Sequence, residues 1–166
     1  MKHIRWLNVL FIIIVLISCH KIDQKKFENL HHAIKQIEGS VMAGVNYMKF
    51  GELLQNLATE LLITKDKVKT KEERDLLELY DKVYDTYKDS YTLWNKKIDW
   101  NRVSIDSERD KTEYEYLEHF FIKKYNLDVL DVYKVGKVIY FDSAIQKIWN
   151  YASTQYIGKI DSQMKQ

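Results

Sequence analysis

The chain holds one cysteine, Cys19, at the border between an apolar run and the first charged residues of the body. With no second cysteine there is no internal disulfide, and a cysteine-based site has no partner thiol. Histidines are the next candidates for chemistry. His31 and His32 follow Glu28 by three and four residues, and Glu115 and His119 are four apart. Zinc on a helix takes ligands at i and i+4 plus at least one more from elsewhere. Each pair supplies two, without an H-E-x-x-H pattern, so they read as surface histidines in local pairs. No metal ligand or cofactor is assigned. Serine chemistry lacks the G-x-S-x-G elbow, and Gly39-Ser40 falls where a helix is expected to end. No G-x-G-x-x-G or G-x-x-x-x-G-K-S/T cradle for phosphate occurs. Carboxylates stand at helical spacing beside lysines, as on a solvated face, and Asp99-Trp100 and Asp142-Ser143 have no identifiable partners. No catalytic residue is assigned.

Aromatic residues form the remaining constellation. Tyr80, Tyr84, Tyr87, Tyr91 and Trp94 share one helix, followed by Trp100, Tyr114, Tyr116, Phe120 and Phe121. One reading is a groove for a glycan or peptide, because aromatic faces stack on sugars and anchor interfaces. The other is a bundle core with hydroxyls reaching its rim, which the heptad spacing favours.

The elements that must hold these residues are helical in pattern. Phe27, Leu30, Ile34, Ile37 and Val41 recur at helical intervals, with a break or close approach expected near Gly39 and Gly44. Tyr47, Phe50, Leu54, Leu57 and Leu61 predict a second helix. Thr70 with Glu73 forms a capping-box pattern opening a long helix that reaches about Trp100. Its two stripes, Leu76-Tyr80-Val83-Tyr87-Trp94 and Leu77-Tyr84-Tyr91-Ile98, make a face broad enough for two neighbours. Residues 101–111 are polar and read as a long loop. Thr112 with Glu115 repeats the capping pattern, and Asn126 suits a stop. Residues 127–141 are β-rich, which leaves a short strand or hairpin and an irregular pair of turns both open. Ile145, Ile148, Trp149, Ala152 and Tyr156 mark a last helix.

Composition agrees with this reading. Proline is absent and glycine occurs five times, whereas a β-sandwich needs many tight turns. The expected fold is all-α, an antiparallel bundle of four or five helices, with a short strand or irregular segment near 129–141. Without Lys2 and Arg5, basic and acidic residues balance, which argues against nucleic acid as a partner.

The first residues are laid out as an export signal: a positive start at Lys2 and Arg5, an uncharged stretch from Trp6, and no charge again until Lys21. The apolar run is shorter than the roughly 20 residues that span a bilayer comfortably. It ends in Leu16-Ile17-Ser18-Cys19. That ending resembles the lipobox of bacterial lipoproteins: an aliphatic residue three before the cysteine, a small one before it, then the cysteine. The resemblance implies a diacylglyceryl thioether on Cys19, cleavage between Ser18 and Cys19 by lipoprotein signal peptidase, and often acylation of the freed amino group. The alternative is an uncleaved membrane anchor with a chance cysteine. The residue after Cys19 is His20 rather than Asp, which for this class in a Gram-negative cell implies the outer membrane.

The expected layout is a signal peptide over 1–18, a lipidated start and tether over 19–26, a helical domain over 27–160 and a frayed tail over 161–166. Gly44-Val45-Asn46-Tyr47 with Phe50-Gly51-Glu52-Leu53-Leu54, Leu93-Trp94, and Tyr140-Phe141-Asp142-Ser143-Ala144-Ile145-Gln146-Lys147-Ile148-Trp149 resemble small helical proteins of bacteria, often exported, for which no activity can be carried over. The expected function is a non-enzymatic binding or interaction module, tied to the membrane through Cys19 and meeting an envelope protein or cell-wall glycan. The alternatives are an envelope enzyme or enzyme inhibitor with an unrecognised site, and a structural spacer.

Overall fold

The structure is a computed structural model that describes residues 22–132 and 136–165. The expected signal segment 1–18 with Ser18, and the expected lipidation residue Cys19, lie outside the described residues, as does 133–135 of the β-rich stretch. The described chain is mostly helical, with five helices and one small three-stranded antiparallel sheet. The helical majority broadly fits the all-α expectation, with a small sheet in addition, two of whose strands fall in the 129–141 segment where the sequence allows a short strand.

A single 3-10 turn, Gln24–Lys26, leads into α1 (Glu28–Ala43). Residues 24–26 were expected in a tether but belong to the folded body. Phe27 is fully buried, and the Lys26 ammonium donates to Glu73 at 2.5 Å. Helix α1 buries Leu30, Ala33, Ile34 and Ile37, runs straight through Gly39, and stops at Gly44. There φ is 88°, a left-handed conformation that costs little without a Cβ.

Helix α2 (Tyr47–Lys65) is capped by the Asn46 side chain, which accepts from the Lys49 N–H at 2.9 Å. Helix α3 (Lys71–Asp99) opens with the expected capping box. Thr70 Oγ1 accepts from the Glu73 N–H at 3.1 Å, and the Glu73 carboxylate accepts from the N–H groups of Thr70 and Lys69. Burial alone would raise the Glu73 pKa, but the Lys26 ammonium and these two N–H groups outweigh it and hold it at about 2.

Helix directions follow from the contacts. Tyr47 stacks on Tyr91 at 4.6 Å near the end of α3, while Leu61 and Leu77 line one groove near its start, so α2 and α3 run antiparallel. Helix α5 (Phe141–Ala152) descends the other side of α3, with Asp142 paired to Lys97 and Trp149 Nε1 donating to Ser90 Oγ at 2.9 Å. It widens into a π turn, Ser153–Ile157, and ends in Gly158–Gln163. The tail expected to fray from 161 is therefore helical as far as Gln163. Ile157 and Ile160 prolong the apolar stripe, and Lys35 donates to Asp161 at 2.7 Å.

Helix α4 starts as Lys111–Leu117, widens into a π turn at Glu118–Ile122 and closes with Lys123–Tyr125. It stops at Asn126, with φ 47°. The expected Thr112–Glu115 cap does not form. Asp110 sits at the N-cap instead, its carboxylate engaged by Arg102, Arg109 and the Asp106 N–H rather than by the helix. Strands β1 (Ser104–Asp106), β2 (Leu130–Val132) and β3 (Gly136–Tyr140) form a sheet in the order β1-β3-β2. The loop expected over 101–111 thus contains a strand, because buried Ile105 faces Ile139. Gly136 has φ 85°, and a Cβ there would lie 2.7 Å from Ser107 Oγ.

Glu73→Ala should lower stability by about 2 kcal/mol, since it removes half of the capping box and strips the Lys26 ammonium of its partner. The folded-state pKa lies below the ordinary 4.5, so this stabilisation is present above pH 4.5 and is lost as pH falls toward 2. Urea melts at pH 7 and pH 3 check both points: Glu73→Gln should flatten the acid slope, and an unchanged slope contradicts the assignment.

Candidate functional site

The aromatic row of α3 is placed mainly in the core. Tyr80 and Tyr87 are fully buried, Tyr80 stacked on Phe27 at 5.8 Å and Tyr87 edge-on to Phe50 at 6.0 Å. Neither can offer a face to a ligand. Tyr91 and Trp94 are half-buried against Tyr47, Phe50 and, for Trp94, Trp149 at 5.7 Å. Tyr84 is half-buried along an apolar groove of about 240 Å³ between α2 and α3. The tyrosine seam joins the helices, and so the groove reading does not hold for the row as a whole.

The second aromatic group behaves differently. Phe120 and Phe121 are consecutive, and successive helical residues point about 100° apart, so both cannot face the core. Phe121 is buried, and Phe120 remains 50% exposed on the π turn of α4. Around it lies a cleft of about 380 Å³ between α3 and α4, lined by Asp89, Thr92, Tyr116, His119, Phe120, Phe121 and Lys124. Tyr116 packs on Phe120 at 4.8 Å, and His119 meets Phe120 edge-on at 4.6 Å. Behind them, the Lys96 ammonium lies 5.4 Å from the Tyr116 ring and 5.5 Å from Trp100, a cation shared by two aromatic faces.

The polar side of the cleft is already ordered. Asp89 Oδ2 accepts from Lys124 Nζ and from the Tyr125 hydroxyl, each at 2.6 Å. Burial, reinforced by the hydrogen bond to Asp89, pushes the Tyr125 hydroxyl well above the usual tyrosine value and keeps it a donor. Asp89, Thr92 and Lys124 could not be singled out from sequence, because they come from two helices far apart in the chain. The readable signal was the run His119-Phe120-Phe121, too aromatic for one face.

The expected histidine pairs are not brought together. His31 turns away from exposed Glu28 and points between α1, α3 and α5, its Nδ1 3.1 Å from the Tyr80 hydroxyl and its Nε2 3.7 Å from Asp161 Oδ1. The tautomer that lets buried Tyr80 donate leaves the imidazole proton on Nε2, facing Asp161. Lys35 donates to Asp161 and Glu38, and Ser153 Oγ donates to Glu38, so the cluster fastens α1 to the end of α5. Asp161 Oδ1 is buried without a hydrogen-bond donor. His32, Glu115 and His119 are exposed. Among the described residues no group of three or more His, Cys, Asp or Glu converges as a metal site would require.

No protein-family model, curated protein or solved structure matches the chain.

Burial depresses the His31 pKa below 6.5 against the smaller opposing pull of Asp161. The unfolded chain therefore binds the proton more readily, and stability falls as pH drops below about 6.5 toward the folded value. Thermal melts between pH 7.5 and 5 should show this slope in the native chain and lose part of it in His31→Gln; parallel curves for the two proteins contradict it.

Proposed function

We propose that the protein is a bacterial cell-envelope lipoprotein, held by lipid on Cys19, whose helical domain binds cell-wall glycan in the α3–α4 cleft without catalysing a reaction. The observation that carries the binding reading is the exposed Phe120 face on the π turn, set beside Tyr116 and within reach of Asp89, Thr92 and Lys124. A sugar ring presents an apolar C–H face and a polar rim of hydroxyls, which is the pairing of surfaces this cleft offers. The π turn supports the reading as well, since such widenings frequently mark functional sites.

The polar groups favour binding over catalysis. Asp89 Oδ2 is held by an ammonium and a hydroxyl, so it is not a free base, and His119 is exposed and packed edge-on to Phe120. On this reading the scaffold is an antiparallel helical bundle carrying a small sheet beside one end. The lipid anchor is supported by the sequence Leu16-Ile17-Ser18-Cys19 and by the uniqueness of the cysteine. In a Gram-negative cell His20 directs the protein to the outer membrane.

Two measurements test the two halves separately. Mass spectrometry of the mature protein should find acylated Cys19 at its N-terminus, and Cys19→Ser should abolish both the lipid and the cleavage after Ser18. A serine variant processed normally would sink the anchor.

For the cleft, titration with soluble peptidoglycan fragments should show Phe120→Ala binding at least about ten-fold more weakly, the loss expected for truncating a central aromatic contact. Tyr84→Ala, in the other groove, should bind as the native chain does. Equal affinity of Phe120→Ala and the native chain rules the cleft out, and capture of an envelope protein with no glycan binding would move the reading to a protein partner.

A further inference from the structure

We infer that the domain rests directly on an anionic bilayer surface by the end that carries the α2–α3 connection, with Leu62 and Ile63 entering the headgroup layer and Lys65, Lys67 and Lys69 meeting the headgroups. This rests on the reading that Cys19 carries lipid. Its physical basis is reach. Three residue steps separate Cys19 from Ile22, so on any path their Cα atoms lie within roughly 11 Å. Ile22 already packs against the core, and Lys26 is bonded to Glu73 at the start of α3. The folded body therefore has no slack with which to stand away from a bilayer that holds Cys19.

The end within that reach has the composition of an interfacial surface. Leu62 is 69% and Ile63 42% exposed, within a turn and a half of the end of α2. From Thr64 to Thr70 the chain carries exposed Lys65, Lys67 and Lys69 against one acid, Asp66. The nearby pairs Lys26–Glu73 and Lys71–Asp75 cancel internally. Apolar side chains ringed by lysines suit the boundary between acyl chains and anionic headgroups, where lysine stems lie along apolar surface and their ammonium groups reach phosphate. Other exposed apolar residues, such as Met42 and Met48, sit at the opposite ends of α1 and α2.

This orientation also sets the height of the cleft. Along α3, Asp89 and Thr92 follow Glu73 by 16 and 19 residues, which at 1.5 Å each places them roughly 25 Å further along the helix from that end. The α3–α4 cleft is then carried clear of the headgroups.

The test uses the full lipidated protein in vesicles of phosphatidylcholine with phosphatidylglycerol. Nitroxide labels are introduced one at a time through Leu62→Cys, Ile63→Cys, Met42→Cys and Phe120→Cys. Labels at 62 and 63 should be several-fold less accessible to a water-soluble relaxation agent than labels at 42 and 120. Neutralising Lys65→Gln, Lys67→Gln and Lys69→Gln together should reduce that protection. Equal aqueous accessibility at all four positions overturns the orientation. The mass of the same sample separates the causes: an acylated chain with open labels overturns this surface alone, whereas an unacylated Cys19 overturns the anchor and this surface with it.

Discussion

Helix α3 must bury two faces at once, and the rest of the molecule is arranged around that requirement. Its 29 residues extend roughly 43 Å, longer than any other helix among those described. Tyr87, Tyr91 and Trp94 pack on Phe50 and Tyr47 of α2, while Ser90 and Trp94 also meet Trp149 of α5. Tyrosine and tryptophan suit this position because their rings fill a wide interhelical space while their polar atoms still find partners. Trp149 Nε1 reaches Ser90, and the Tyr47 hydroxyl donates to Asn95. Gly51 belongs to the same fit, since a Cβ there would lie 3.1 Å from the Tyr91 hydroxyl.

Polar groups then fix the register that apolar packing alone would leave loose. Glu73 locks the start of α3 to the 3-10 turn before α1, and the Lys35–Asp161 bond with the His31–Tyr80 contact locks α1 to the end of α5. At the opposite end, buried Asp106 and Asp110 bind Arg109 and Arg102 and turn β1 into α4. The backbone amide of Phe141 donates to the Val103 carbonyl, so the sheet and the start of α5 are joined there as well. Both α4 and α5 widen into a π turn, and on the turn of α4 the Phe120 ring is left half-exposed beside polar groups.

The helical skeleton was legible because its signals are local. The stripes of α1, α2, α3 and α5, the Thr70–Glu73 box and the Asn126 stop all lie within a few residues of one another. What escaped is what depends on distant partners. Strand β1 has a single buried apolar residue, Ile105, and becomes a strand only because β3 lies beside it. Thr112 does not cap because the helix already starts at Lys111, one residue earlier, with Asp110 at the N-cap and its carboxylate held by two arginines. The α3–α4 cleft needs Asp89 and Lys124 together, a pairing that no spacing rule reports. The tyrosine row had two readings in sequence, core and groove, and burial of Tyr80 and Tyr87 favours the core.

A rigid central helix beside a looser, π-widened neighbour is a division of labour: α3 holds the fold, and α4 presents the exposed surface. Native-state amide hydrogen exchange reads this directly. Amides of α3 between Leu76 and Leu93 should exchange only through global unfolding, while those of the π turn Glu118–Ile122 exchange through local opening at much lower free energy. If the centre of α3 exchanges as fast as that turn, α3 is not the element on which the structure depends.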